Sequence, residues 1–322
     1  MWSEIVKVYR NIADVPHDNN SVITVGTFDG MHRAHRAILA ETIAKAKAFD
    51  GRSVLVTFNP HPREIIFHNG RPIELLTSLE ERIDLCRELG IDVFVVLPFD
   101  TRFSQLSART FYRQYLFERI GMRAVVLGSD HRFGHNREGS KAELLSMSAE
   151  LGVEVRTIDQ IVIGGEPVSS TRIRRALTDG KPELANTLLD RPYELGGVVV
   201  HGNQRGRTLG YPTANIEPHS SKKLVPKNGV YLSGVVVRRE SYFGLMSIGV
   251  RPTFYEQGKR IVEVYILDFD ADIYDEPIRV SLLRRLRDEL KFDSVGSLIS
   301  QMDNDKAQGL RLISEIEIQK TH

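Results

Sequence analysis

Two histidines three residues apart, set directly behind a glycine-bearing turn, are the first chemistry-capable feature of the chain. They lie in Gly26-Thr27-Phe28-Asp29-Gly30-Met31-His32-Arg33-Ala34-His35. Glycines let a backbone turn tightly and approach a phosphate, and the free N–H groups at a helix start attract an anion. His32 and His35 share a face of the first helical turn, so both imidazoles can donate to phosphate oxygens. An ordinary strand-to-helix turn with two surface histidines has the same spacing. A zinc site would need a third ligand that the sequence does not supply.

Three further loops could join this turn. Thr57-Phe58-Asn59-Pro60-His61-Pro62 has two prolines fixing its backbone. Gly128-Ser129-Asp130-His131-Arg132-Phe133-Gly134 is a second glycine-bounded loop, and Val168-Ser169-Ser170-Thr171-Arg172-Ile173-Arg174 opens a helix. Ser169 or Ser170 is a natural N-cap. Arg172 and Arg174 then occupy the first turn, where the helix dipole disfavours each cation by roughly 0.3–1 kcal/mol. A bound phosphate would offset that penalty. Solvated arginines would explain any one of these loops, but four on one sheet edge are harder to dismiss.

The densest motif comes later: His201-Gly202-Asn203-Gln204-Arg205-Gly206-Arg207-Thr208-Leu209-Gly210-Tyr211-Pro212-Thr213-Ala214-Asn215. Gly202, Gly206 and Gly210 make a pliable loop, and Arg205 and Arg207 suit a polyphosphate. On an extended segment the Thr213 and Asn215 oxygens point the same way. Neutral oxygen ligands suit an Mg²⁺ ion that shares the phosphates of a nucleotide. A glycine-rich hairpin is the plainer alternative. Glu263 stands in Ile261-Val262-Glu263-Val264-Tyr265-Ile266-Leu267, where a carboxylate in so apolar a strand is either paired or functional. It could take a proton from an alcohol during phosphoryl transfer.

The elements that must hold these residues come in two textures. Strand-like runs at 22–25, 53–58, 92–97, 124–127 and 153–158 alternate with helical stretches near 34–49, 79–89, 108–120 and 140–151. That alternation predicts an α/β unit: a parallel sheet with helices on both faces and ligands beyond the carboxyl ends of its strands. After residue 177 strands dominate, at 193–201, 229–238, 244–250, 261–269 and 278–283, which predicts an antiparallel barrel or sandwich. A helical period covers 294–318. The expected division is 1–185 and 186–322, in line with two domains for 322 residues.

Composition excludes several classes. Lys plus Arg is 43 against 42 for Asp plus Glu, a formal net charge of +1, so bulk positive charge for nucleic-acid binding is absent. One cysteine, Cys86, excludes an internal disulfide and a multi-cysteine zinc site. Met1 to Pro16 has no uninterrupted apolar stretch, hence no signal peptide is expected, and no run reaches 18 apolar residues. The expectation is a cytoplasmic protein, a monomer or weak homo-oligomer, with no nucleic-acid or membrane partner.

The histidine turn resembles the signature of the nucleotidyltransferase superfamily. Together with the three loops it is similar to the adenylyltransferase half of bacterial bifunctional riboflavin kinase/FAD synthetases. The second motif and Glu263 resemble the riboflavin kinase module, and Lys227-Asn228-Gly229-Val230-Tyr231, Ile248-Gly249-Val250-Arg251-Pro252-Thr253-Phe254 and Leu286-Arg287-Asp288-Glu289-Leu290-Lys291-Phe292 also fit it. The resemblance implies a Rossmann-like first domain and a barrel with a terminal helix.

The resemblance also implies roles. ATP for adenylyl transfer would meet Gly26, Phe28, Asp29, Gly30, His32, His35, Ser169, Ser170, Thr171 and Arg174, with His32, His35 and Arg174 as electrostatic clamps. Flavin would meet Phe58, Asn59, His61 and Asp130 there. In the kinase, ATP would meet Gly202, Arg205, Gly206, Arg207, Gly210 and Thr213, flavin would meet Arg287 and Glu289, Thr213 and Asn215 would hold Mg²⁺, and Glu263 would be the base. The partners implied are riboflavin, FMN, FAD and ATP. The sequence departs from the family at Ala34 (usually Gly), Asn59 (often acidic), His131 (commonly aromatic), Ser247 (usually Asn) and Tyr265 (usually His). Two alternatives remain open: a kinase whose first half is silent, predicting FMN as end product, and a barrel that only binds ligand, predicting no turnover.

Overall fold

The computed structural model describes residues 6–66, 73–129, 141–202, 206, 210–250 and 260–321. The chain forms two compact units, Met1–Ser170 and Thr171–His322. The first opens with β1 (Lys7–Tyr9), β2 (Ser21–Val25), α1 (Arg33–Ala48), β3 (Arg52–Asn59), α2 (Pro62–Ile66), α3 (Leu79–Leu89) and β4 (Val93–Pro98). It continues with α4 (Thr101–Ser104), α5 (Ala108–Thr110), a π-helical stretch Phe111–Ile120, β5 (Met122–Gly128), α6 (Lys141–Leu151), β6 (Glu154–Ile158) and a small hairpin, β7 (Val162–Ile163) and β8 (Glu166–Pro167).

Its six-stranded sheet has the order β1-β4-β3-β2-β5-β6, and every pairing is parallel. All five residues of β2 are buried, as a strand covered on both faces requires. Alternate residues of β3 and β4 divide between two cores. Val54, Val56, Phe58, Val93, Val95 and Leu97 pack on one face, and Leu55, Phe94 and Val96 on the other. The chain leaves β2 toward β3 and β4 on one side and returns to β5 and β6 on the other. The point where that order reverses, between β2 and β5, opens the crevice where such sheets take ligands.

The second unit begins within α7 (Ser170–Thr178, whose first residue belongs to the first unit) and continues with α8 (Pro182–Leu189). Six strands follow: β9 (Tyr193–Val200), β10 (Thr213–Pro218), β11 (Gly229–Val237), β12 (Glu240–Val250), β13 (Arg260–Ile266) and β14 (Pro277–Arg287). They close into an antiparallel barrel in the order β10-β13-β12-β11-β14-β9. Of the two architectures the sequence allowed, barrel or sandwich, the barrel is the one formed.

Helix α8 is pinned to this barrel. Asn186 Nδ2 donates to the Leu282 carbonyl at 2.8 Å, and the Arg285 N–H donates to Glu183 at 3.0 Å. The terminal helix α9 (Val295–Thr321) lays Ile313, Leu312 and Ile316 on Leu232, Leu245 and Tyr265. The expected strand for 244–250 starts earlier, at Glu240, because a tight turn at Arg238 and Arg239, both with positive φ, joins it to β11.

Candidate active sites

The histidine turn sits at the carboxyl end of β2, at the reversal point. Gly30, with φ +86°, uses the left-handed freedom expected of it. Phe28 (φ +48°) and Met31 (φ +44°) adopt the same region with side chains, so the strain of this turn rests on non-glycine residues. Both side chains are buried, which holds them there. Ala34 lies in the first turn of α1 in right-handed helical geometry, which needs no glycine.

His32 is the N-cap of α1; its Nδ1 accepts the His35 N–H at 3.4 Å, leaving Nε2 as the nitrogen that carries a proton and donates. The two imidazoles are stacked, with centroids 3.6 Å apart and planes 14° from parallel. His35 Nδ1 is buried and has no hydrogen-bond partner among the described residues. Burial, followed by the neighbouring His32 and Arg82, holds the His35 pKa well below the usual 6.5. His35 is therefore neutral at physiological pH.

Linkage gives the consequence for stability. The unfolded chain takes up a proton near pH 6.5 that the folded His35 refuses, so stability is full above that pH and falls as pH drops toward the folded value. The slope from this one group is at most about 1.4 kcal/mol per pH unit. Thermal unfolding between pH 7 and 5 should show a declining midpoint, flatter in His35→Gln. An equally steep decline in that variant would contradict the assignment.

Asp29 is held within the protein by its carboxylate. Its buried carboxylate accepts from the Leu76 and Thr77 N–H groups at 3.2 and 2.9 Å and from the Thr77 hydroxyl at 3.1 Å. The Gly30 N–H likewise goes to Thr77 Oγ1, at 2.8 Å. Ser170 Oγ, at the end of this unit, donates to the Asp29 carbonyl at 2.9 Å. Thr171 and Arg174 lie beyond that point, in the second compact unit.

Phe58 is buried among Phe99, Phe103 and Phe111, with centroids 5.6–6.3 Å away, so its ring belongs to the core rather than to an open flavin surface. Asn59, exposed, ends β3, and His61 is buried with its Nδ1 accepting the Arg63 N–H at 3.1 Å. Asp130 and His131 lie outside the described residues. Thr77 and Arg82, which organise this turn, were missed by sequence reasoning.

In the barrel, strand register brings the kinase motif together. Asn215 of β10 pairs with Glu263 of β13, Thr213 with Tyr265, and Ser247 of β12 with Glu263 from the other side. Directly paired residues share a face with Cβ atoms ~4.5–5.5 Å apart. Thr213, Asn215, Glu263 and Ser247 therefore line one face, while Val262, Val264 and Ile266 are buried on the other. A Cβ on Gly202 would stand 2.2 Å from Asn215 Nδ2, so this glycine makes a cradle for the amide. Arg205, Arg207 and residues 251–254 lie outside the described residues.

Two neutral oxygens on one face, with a carboxylate beside them, fit a divalent ion shared with nucleotide phosphates better than a closed protein cage. Among the described residues no group of three or more His, Cys, Asp or Glu is arranged to hold a metal.

Helix α9 is anchored at the glycine loop that leads into β10 and at the end of β14. Tyr211, at the end of the glycine loop, donates its hydroxyl to Asp303, and burial with that bond pushes its pKa up to about 12. Arg287, the last residue of β14, makes a two-pronged pair with Asp305: Nε to Oδ1 at 2.9 Å and Nη2 to Oδ2 at 2.7 Å. Asp305 is 4% exposed. Glu289 accepts from Asn228 Nδ2 at 3.0 Å. Asp305→Ala strands a part-buried guanidinium and should destabilise this unit by about 3 kcal/mol. Hydrogen exchange across α9 and β14 would read this as faster local opening; unchanged exchange would show that the pair contributes nothing.

A parallel-sheet unit with a histidine turn and a barrel with a Thr/Asn/Glu face together define a two-site nucleotide-using enzyme. The FAD synthetase family model matches residues 14–172 and the riboflavin kinase family model residues 189–313. The chain is 37% identical over 302 residues to the bifunctional riboflavin kinase/FMN adenylyltransferase of Listeria monocytogenes serovar 1/2a, covering 93% of this chain and 95% of that one. It is 34% identical over 301 residues to the Bacillus subtilis (strain 168) protein of the same name, covering 92% and 93%. A crystal structure from Streptococcus pneumoniae, titled as a macrolide-efflux protein, superposes with a TM-score of 0.84 at 32% identity, covering 94% of this chain and 98% of that one. Among the described residues of this chain no helix is long and apolar enough to cross a membrane.

The chain belongs to the bifunctional riboflavin kinase/FMN adenylyltransferase family. It carries both activities: phosphorylation of riboflavin to FMN and adenylylation of FMN to FAD. Both reactions use ATP, generally with a divalent metal.

Proposed function

We propose that Glu263 is the base of the kinase, that Thr213 and Asn215 hold Mg²⁺ there, and that His32 and His35 clamp the triphosphate for adenylyl transfer. The observation that carries this reading is the register that sets Asn215 opposite Glu263, with Thr213 two residues along the same face. Glu263 takes the proton of the 5′-hydroxyl of the ribityl chain as its oxygen attacks the γ-phosphate of ATP, and ADP leaves. Bound Mg²⁺ would neutralise charge developing on the phosphates. Thr213 and Asn215 orient the nucleotide against the base, and the cradle at Gly202 holds the Asn215 amide in place.

In the first unit the FMN phosphate attacks the α-phosphate of a second ATP, and pyrophosphate leaves. That nucleophile is already anionic, so no general base is required. His32, donating through Nε2, and neutral His35 stabilise the charge that moves onto the pyrophosphate. Ser170, hydrogen-bonded to the Asp29 carbonyl, bounds the same turn.

We place the functional division at 185/186, within the stretch 173–188 that neither family model matches. A cytoplasmic location follows from the ATP that both reactions consume. The test is a time course with riboflavin and ATP, using Mg²⁺, Mn²⁺, Zn²⁺ or Ca²⁺ as sole divalent ion and separating products by chromatography. FMN should rise first and FAD follow, fastest with Mg²⁺. A higher rate with another ion would remove the Mg²⁺ assignment, and FMN accumulating alone would remove the one for the first unit.

A further inference from the structure

We infer that Arg82 is a positioning residue for adenylyl transfer, a buried cation that locks the histidine turn to the carboxyl end of β3 and sets the charge behind both. This rests on the adenylyl site proposed above. Arg82 sits on α3 and is 3% exposed. Its Nη1 donates to the Thr27 carbonyl at 2.6 Å and to Thr57 Oγ1 at 3.0 Å, and its Nε to the Ser78 carbonyl at 3.3 Å. Thr27 is in the histidine turn, and Thr57 lies two residues before Asn59. One side chain therefore fixes the spacing between the turn expected to hold ATP and the end of the strand that leads into the loop expected to hold FMN. The Thr57 hydroxyl also donates to the Thr27 carbonyl, at 3.4 Å, closing a small triangle around the guanidinium.

The acceptors are all neutral, and that is unusual for a charge so deeply buried. Removing a guanidinium from water is strongly unfavourable unless an anion compensates. Asp29 supplies part of that compensation, with smaller contributions from Glu80 and Glu81. Asp29 is itself committed to residues 76 and 77. A triphosphate in the turn would supply the rest, so the same charge that burial disfavours becomes favourable when substrate binds. Helix α3 is built to hold this residue: Ser78 and Glu81 form a reciprocal cap at its start. The Arg82 charge also helps hold the His35 pKa down, after burial and His32.

Two variants separate charge from packing. Arg82→Gln keeps a donor for Thr27 and removes the charge, whereas Arg82→Lys keeps the charge. The glutamine variant should lower kcat for FMN adenylylation roughly 30-fold, and the lysine variant should stay within about fivefold of the parent. Riboflavin phosphorylation by the same molecules should be unchanged in both. Without the Arg82 charge, His35 protonates more readily, so the acid limb of the adenylylation pH profile should move to higher pH in Arg82→Gln and stay in place in Arg82→Lys.

Adenylylation by Arg82→Gln at close to the parent rate, or a lysine variant as impaired as the glutamine one, would overturn the inference. So would a parallel loss of the kinase. If the glutamine variant does not fold, the lysine variant still decides: a loss beyond about 30-fold there contradicts a role for the charge. His32→Ala in the same assay tests the underlying site. If it keeps adenylylation, the site reading fails whatever Arg82 does.

Discussion

Replacing Glu263 with glutamine should lower FMN formation by about 10³-fold while leaving conversion of supplied FMN to FAD at the parent rate. Glutamine preserves the size and hydrogen-bonding reach of the side chain, so β13 keeps its pairing with β10 and β12. What is lost is the ability to accept the hydroxyl proton, and removal of a general base typically costs 10²–10⁴ in rate. Because phosphoryl transfer otherwise depends on positioning and charge, riboflavin and ATP affinity should change little. Chromatographic assay of both steps on one preparation reads the result directly. Equal loss of both activities would refute two separate sites, and a kinase loss under tenfold would reduce Glu263 to a structural strand carboxylate.

The second large effect is expected at His32. His32→Ala should reduce FAD formation from FMN by about 10²–10³-fold, the range for removing one preorganised donor to developing phosphate charge. Alanine also removes the N-cap of α1, a stability loss of about 1 kcal/mol. His32→Asn separates these effects, because asparagine is a good N-cap. It should restore the melting temperature without restoring the rate. If His32→Asn recovers adenylylation as well, the histidine acts only as a cap.

Much of this was readable in advance where physics is local. Val22-Ile23-Thr24-Val25 and the apolar runs of β3 to β5 are continuous because both faces of a parallel strand are buried, and that pattern needs no partner to be recognised. The barrel strands alternate instead, as in β13, because only one face of each is packed in the barrel interior. What escaped was non-local. β1 is three residues long with one exposed, and it exists because Lys7, Val8 and Tyr9 pair with β4 more than 80 positions away. The π-helical geometry of Phe111–Ile120 is a backbone choice that periodicity does not encode.

The site shows the same divide. His32, His35, Thr213 and Asn215 stand out because their spacing is local. Arg82 does not, since Glu80-Glu81-Arg82-Ile83-Asp84 reads as the charged face of an ordinary helix. Only its 55-residue reach to Thr27 shows that this arginine points inward. Ser78 and Glu81, a Ser-x-x-Glu cap signature, were the one available hint that α3 begins at a fixed place beside the turn.

Asp303 and Asp305 are two positions apart on α9, one holding Tyr211 at the glycine loop and the other holding Arg287 at the end of β14. All six barrel strands are complete by residue 287. A stop codon between residues 289 and 303 would therefore encode every strand of the barrel and still remove both anchors at once. Such an allele would behave as a lesion of FMN formation, although every residue assigned to that chemistry remained in the gene.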